Sequence, residues 1–277
     1  MRSVIFLPVL TITAAVFPAL LPAPAFGHGE SHEAIAVLTK EIESHPGSAA
    51  LFMERASLLA DHGDYAGAFA DLDRLKMLDP ANDQQMALRG SILRRSGQPG
   101  AARKEQEAFL QKHPGQAQVQ FDYCRTLIDL QDSAAAITAL DKVITNAKAP
   151  SPDAVALRIK VTETAGESGP SEALKWVKGF LQKHPLPVFE EEALRLELKT
   201  GRTADALHRM DGLIAKSPRP ETLCLRKADL LAAAGNSQGA IAAAAAAKEA
   251  INRLPEHIRS TRACAELEAR ADHHLSP

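Results

Sequence analysis

The chain has 277 residues, is 45% hydrophobic and only 4% aromatic, and carries 32 Lys and Arg against 34 Asp and Glu. That apolar content excludes a wholly disordered chain. The near-balance of charge excludes a protein drawn by net charge to nucleic acid or to an anionic membrane surface.

Met1-Arg2-Ser3 precedes the apolar run VIFLPVLTITAAVFPALL and the small-residue stretch PAPAFG, the order of a secretory signal peptide. Residues 1–27 are read as that peptide, with cleavage near Ala25 or Gly27. The run is long enough to cross a bilayer as an anchor, but its interior prolines and small-residue end favour cleavage. The expectation is a periplasmic or secreted protein with no membrane span after processing. The mature chain would hold 31 cations and 34 acids, a net charge of −3. Its three cysteines, Cys124, Cys224 and Cys264, cannot form a disulfide framework; they read as small buried hydrophobes, with a Cys224–Cys264 bridge as the alternative.

The expected mature terminus opens with HGESHE, from His28 to Glu33. A terminal amine, backbone nitrogens and an imidazole can chelate Cu(II) in a square plane, and His28 and His32 stand four apart, on one face of a helix. His28 and His32 are therefore candidate copper or nickel ligands. The plain alternative is a solvated helix start with Ser31 as N-cap. Residues 28–48 read as an N-terminal segment and a leading helix.

From there the chain repeats itself. An alanine recurs at Ala34, Ala68, Ala102, Ala136, Ala173, Ala206 and Ala240, at intervals of 34, 34, 34, 37, 33 and 34. Five residues earlier stand Gly29, Gly63, Gly97, Gln131, Ser168, Gly201 and Gly235; twelve later stand Pro46, Pro80, Pro114, Lys148, Pro185, Pro218 and Asn252. A glycine between apolar segments supplies a left-handed turn, and a proline stops the helix that follows. Each period is thus two helices, with the alanine allowing close approach and Leu38, Leu72, Leu140, Val177 and Met210 filling the layer beneath. The hexapeptide FLQKHP, at Phe109 to Pro114 and again at Phe180 to Pro185, is the end of a second helix. His45, His113 and His184 precede their prolines, where an imidazole favours a helix C-terminus. The array covers residues 49–254 as six pairs, and residues 255–277 read as a C-terminal capping helix whose polar face holds Arg259, Arg262, Glu266, Glu268 and Arg270.

The stretch LFMERASLLADHGDYAGAFADLDRLKMLDP, Leu51 to Pro80, resembles a tetratricopeptide repeat, with Phe52, Ala56, Leu59, Gly63, Tyr65, Ala68, Leu72 and Pro80 at that family's spacing. The resemblance implies an all-α, right-handed solenoid in which the first helix of each pair lines a concave groove. It would place Met53, Ser57, Gln84, Ser91, Gln118, Phe121, Arg125, Arg158, Thr162, Glu191, Arg195 and Asp229 on that groove. Met53 and Ser57 stand where the family's chaperone-tail clamp needs Lys and Asn, so that specificity does not carry over.

No phosphate-cradling Gly loop, nucleophile elbow or paired-Cys zinc pattern is present, and Glu190, Glu191 and Glu192 are accounted for by a helix start. The reading is a non-catalytic exported scaffold that binds a protein or peptide, with no cofactor beyond the copper or nickel alternative. A non-catalytic subunit of an envelope enzyme or secretion assembly is a third reading. Arg125, Arg158 and Arg195, counted nine, five and nine along their first helices, predict one wall that meets an acidic segment or a free C-terminal carboxylate.

Overall fold

A computed structural model describes residues 28–276, with the side chains of residues 28–31 left aside. The expected signal peptide, residues 1–27, lies outside the described residues. The described residues form helices only: α1 (His28–Ser44), α2 (Ala49–Asp61), α3 (Tyr65–Leu78), α4 (Gln84–Arg95), α5 (Pro99–Lys112), α6 (Ala117–Asp129), α7 (Ser133–Asn146), α8 (Pro152–Thr164), α9 (Gly169–Lys183), α10 (Pro187–Lys199), α11 (Thr203–Lys216), α12 (Glu221–Ala233), α13 (Ser237–Asn252), α14 (Glu256–Arg259) and α15 (Arg262–Leu275). None of them is long and apolar enough to cross a membrane.

The punctuation does the work its chemistry allows. Gly63, Gly97, Gly201 and Gly235 take φ between 73° and 81° at their turns. Gln131 does so too, at φ 59°, although it carries a side chain. Ser168 does not; in the longer fourth turn the left-handed residue is Gly166, φ 96°. Gly29 and Ser31 fall inside α1, so Ser31 is not its N-cap. Asp64, Asp132 and Asn236 cap α3, α7 and α13 by accepting from the amides of Gly67, Ala135 and Gly239. Helices α1, α3, α5, α9 and α11 each end two residues before Pro46, Pro80, Pro114, Pro185 and Pro218. In FLQKHP the His ring packs on the Phe ring one turn back, 4.7 Å between centres for Phe109–His113 and 4.8 Å for Phe180–His184.

The described residues divide into two compact units on either side of the Ile92–Leu93 bond, the division falling inside α4. In the first, Ala56, Ala60, Ala68, Leu72 and Ile92 form one core cluster and Ile42, Phe52 and Leu75 another. In the second, the core centres on Leu140, Ile159, Val177 and Phe180, continues through Leu194, Ala206 and Met210, and ends at Cys224, Leu225, Ala247 and Ala271. Ala68, Ala102, Ala136, Ala173 and Ala206 are fully buried, as close helix approach requires. The 255–277 segment is two helices, broken at Ser260 and restarted by Thr261, whose hydroxyl caps α15; α15 packs on α12 and α13. The three cysteines are buried free thiols, with no Cys224–Cys264 bridge; burial pushes the Cys124 thiol up to about 12.

Candidate functional site

In the second unit the exposed sides of successive first helices are tied together by ion pairs about one repeat apart. Arg94 on α4 meets Asp129 on α6 at 3.3 Å. Glu163 on α8 receives a two-pronged pair from Arg195 on α10, 2.9 and 2.5 Å, and a third bond from Lys199 at 2.6 Å. Arg226 on α12 reaches Glu191 on α10 at 2.9 Å. Asp229 on α12 receives Arg270 at 2.8 Å and His274 at 2.6 Å from α15. The Arg195 bond holds the Glu163 carboxyl down at about 2 against the opposing effect of burial, and Glu163 in turn raises Arg195. Glu191, Arg195 and Asp229, which the sequence reading assigned to a partner-binding groove, are each already paired within the chain.

Further along that side, α6 presents Gln118, Phe121 and Arg125. Gln118 is exposed and the other two are half-buried. The Arg125 guanidinium lies 4.5 Å from the centre of the Phe121 ring and 3.4 Å from Asp122. Gln118 and Phe121 line a cavity of about 460 Å³ with Pro114, Asn146 and Ala154. In the first unit, Met53 packs beside Ile42 and Phe52, Ser57 and Ser91 are partly buried, and Gln84 is exposed at the start of α4.

Arg158 and Thr162 correct the sequence reading. Both are buried, with relative exposures of 7% and 3%. Arg158 donates from Nε to Asp141 Oδ1 on α7 at 2.8 Å, also donates to Thr162 Oγ1, and lies 4.9 Å from the Trp176 ring centre on α9. It thus points between two second helices. The reason is the helix start: α8 begins at Pro152, making Arg158 its seventh residue, whereas Arg125 and Arg195 are ninth in α6 and α10. Two residues turn a helix by about 200°. The three arginines do not form one wall. Arg158 belongs to a second series, in which a first-helix residue bonds an acid on the preceding second helix: Arg89 to Asp73, Tyr123 to Glu107 at 2.7 Å, and Lys227 to Asp211. Trp176, which the sequence reading passed over, is the most informative side chain of this series. Its signal was its being the chain's single Trp.

At the other end of the chain, the side chain of His28 lies outside the described residues. His32 is exposed and its ring centre is 4.2 Å from that of His62, whose Nε2 is buried without a hydrogen-bond partner. Among the described residues no group of three His, Cys, Asp or Glu is placed to hold a metal ion.

A family model described as tetratricopeptide repeat matches residues 25–84, 88–154 and 192–255, more than half of the chain. The chain belongs to the tetratricopeptide repeat family. Tetratricopeptide repeat proteins are generally non-catalytic and commonly bind protein partners. Solved structures agree on the fold. A tetratricopeptide repeat protein from Parabacteroides merdae is 15% identical over 88% of this chain and 93% of its own, with a TM-score of 0.50. The C-terminal part of a repeat protein from Cytophaga hutchinsonii is 15% identical over 86% of this chain and 94% of its own, with a TM-score of 0.60. No curated protein matches the sequence significantly. At these identities the solved structures speak to the architecture, an all-α array of helical hairpins.

Proposed function

We propose that this tetratricopeptide repeat protein is an exported, non-catalytic scaffold that holds a segment of a partner protein against the first-helix side of α6. The observation that carries the reading is the half-buried Phe121–Arg125 pair beside the cavity lined by Gln118. An aromatic face with a stacked guanidinium suits a segment bearing an acidic residue or a free C-terminal carboxylate, because the planar fork can donate two parallel hydrogen bonds. Arg195, already bound to two carboxylates, is less able to do this than Arg125, whose one acidic partner among the described residues is at 3.4 Å. The test is a photo-crosslinker at Gln118 in cells making the full chain, followed by affinity measurement on the crosslinked protein. Arg125→Glu and Phe121→Ala should each weaken binding without loss of helix; unchanged affinity in both would end the proposal.

A second reading, copper or nickel handling at His28 and His32, gains one observation, the His62 ring against His32. Calorimetric titration of Cu(II) into the mature protein and into a form lacking residues 28–33 separates the two. Equal affinity, or none, in both forms removes the metal reading.

A further inference from the structure

Helices α7 and α9, the second helices of neighbouring hairpins, leave between them a cavity of about 850 Å³ floored by α8. Its apolar lining includes Ile137 and Ile144 from α7 and Trp176 and Phe180 from α9. The two aromatic rings lie nearly parallel, 12° apart with centres 5.4 Å apart, and Arg158 is fixed against Trp176 by Asp141 and Thr162. Asp141, on the α7 wall, is thus already paired with Arg158 from the floor.

The rim carries charge that the fold does not use. Lys175 and Lys183 line the cavity, are exposed, and make no ion pair among the described residues. The remaining acid of the rim, Glu172, accepts from the Ser168 hydroxyl at 2.7 Å. Between the two lysines, one helical turn from each, stands Gly179. Its φ is not in the left-handed range, and a β-carbon placed on it would meet no atom within 4 Å. A glycine inside a helix weakens it relative to alanine. Neither backbone conformation nor packing within the chain accounts for this one. The same holds for Gly212, at the equivalent position of α11, on the wall of the next cavity between α9 and α11. Missing side chains at matching points of two successive clefts leave room for the backbone of something outside the chain.

We propose that the α7–α9 cleft binds an acidic peptide segment, its backbone passing over Gly179, its carboxylates meeting Lys175 and Lys183, and one large apolar side chain seated against Trp176. Charge complementarity selects the acidic partner. The site uses neither Phe121 nor Arg125, so it stands or falls apart from the α6 reading.

Because Trp176 is the chain's single Trp, its fluorescence reads occupancy of the cleft directly. The probe is a short synthetic peptide with a central Phe flanked by Asp and Glu; the control replaces the acids with Lys. The acidic peptide should shift Trp176 emission saturably and the Lys peptide should not. Lys175→Glu with Lys183→Glu should weaken binding by about tenfold or more, since exposed attractions become repulsions. Gly179→Ala should raise the melting temperature yet reduce affinity, a combination that a purely structural glycine would not show. No saturable shift, equal response to the Lys peptide, or a melting temperature lowered by Gly179→Ala would overturn the proposal.

Discussion

Arg158 reaches from α8 to Asp141 on α7 with 2.8 Å between Nε and Oδ1, and its side chain is 8% exposed against 41% for its partner. A guanidinium so buried, bonded to Asp141 and Thr162 and packed on Trp176, holds three helices together. Arg158→Ala should lower stability by about 1–3 kcal/mol, the range for losing a charge-assisted bond from a mostly buried group. Arg158→Glu should cost more, because like charges would face each other. Thermal unfolding followed by circular dichroism decides this; unchanged melting in Arg158→Glu would mean the contact is not formed.

Gln106 on α5 is 1% exposed and neither side-chain amide atom has a hydrogen-bond partner. The equivalent positions carry Leu72, Leu140, Val177 and Met210. Met has the same length without the polar atoms, so Gln106→Met should raise stability by about 1–2 kcal/mol. Denaturant titration should move its midpoint upward with the slope unchanged; a lowered midpoint would show that the amide is satisfied in solution.

Gln131 sits at φ 59° where four other turns have glycine. A side chain in the left-handed region costs about 1–2 kcal/mol, partly offset by the greater freedom glycine has when unfolded. Gln131→Gly should therefore stabilise by roughly 0.5–1 kcal/mol. A melting temperature no higher than that of the parent would contradict it.

The Glu163 carboxyl is held at about 2, below its ordinary value of 4.5, chiefly by Arg195. A depressed folded value means that the pair's stabilisation is complete above pH 4.5 and is lost as the pH falls from there towards 2. Glu163→Gln should flatten that part of the stability curve, although the shared loss from other carboxylates remains. An acid limb identical in the two proteins would show that the Arg195 bond contributes nothing.

Export is an inference from the order of charge, apolar run and small residues at the start of the chain. Mass spectrometry of the native protein should find a terminus between Phe26 and Gly29. An intact Met1 in the membrane fraction would refute it.

The sequence by itself determined the period, the six hairpins with a leading helix, and most of the turns, because each rests on local chemistry: a residue that tolerates positive φ, a cap oxygen, a proline that ends a helix. It erred where the local signal was weak or displaced, taking Ser168 for the turn residue that is Gly166 and starting α8 too late, past the Pro152 that opens it. Which side of a helix a residue faces was beyond it at that point, since each residue turns the helix by about 100° and a small error in the start reverses the assignment. Only the tertiary structure decided that Arg195 meets Glu163 while Arg158 meets Asp141, and that Trp176, Gly179, Lys175 and Lys183 share one cleft. Those juxtapositions depend on how neighbouring hairpins lie against one another, a matter of side-chain volume and packing that no spacing along the chain encodes.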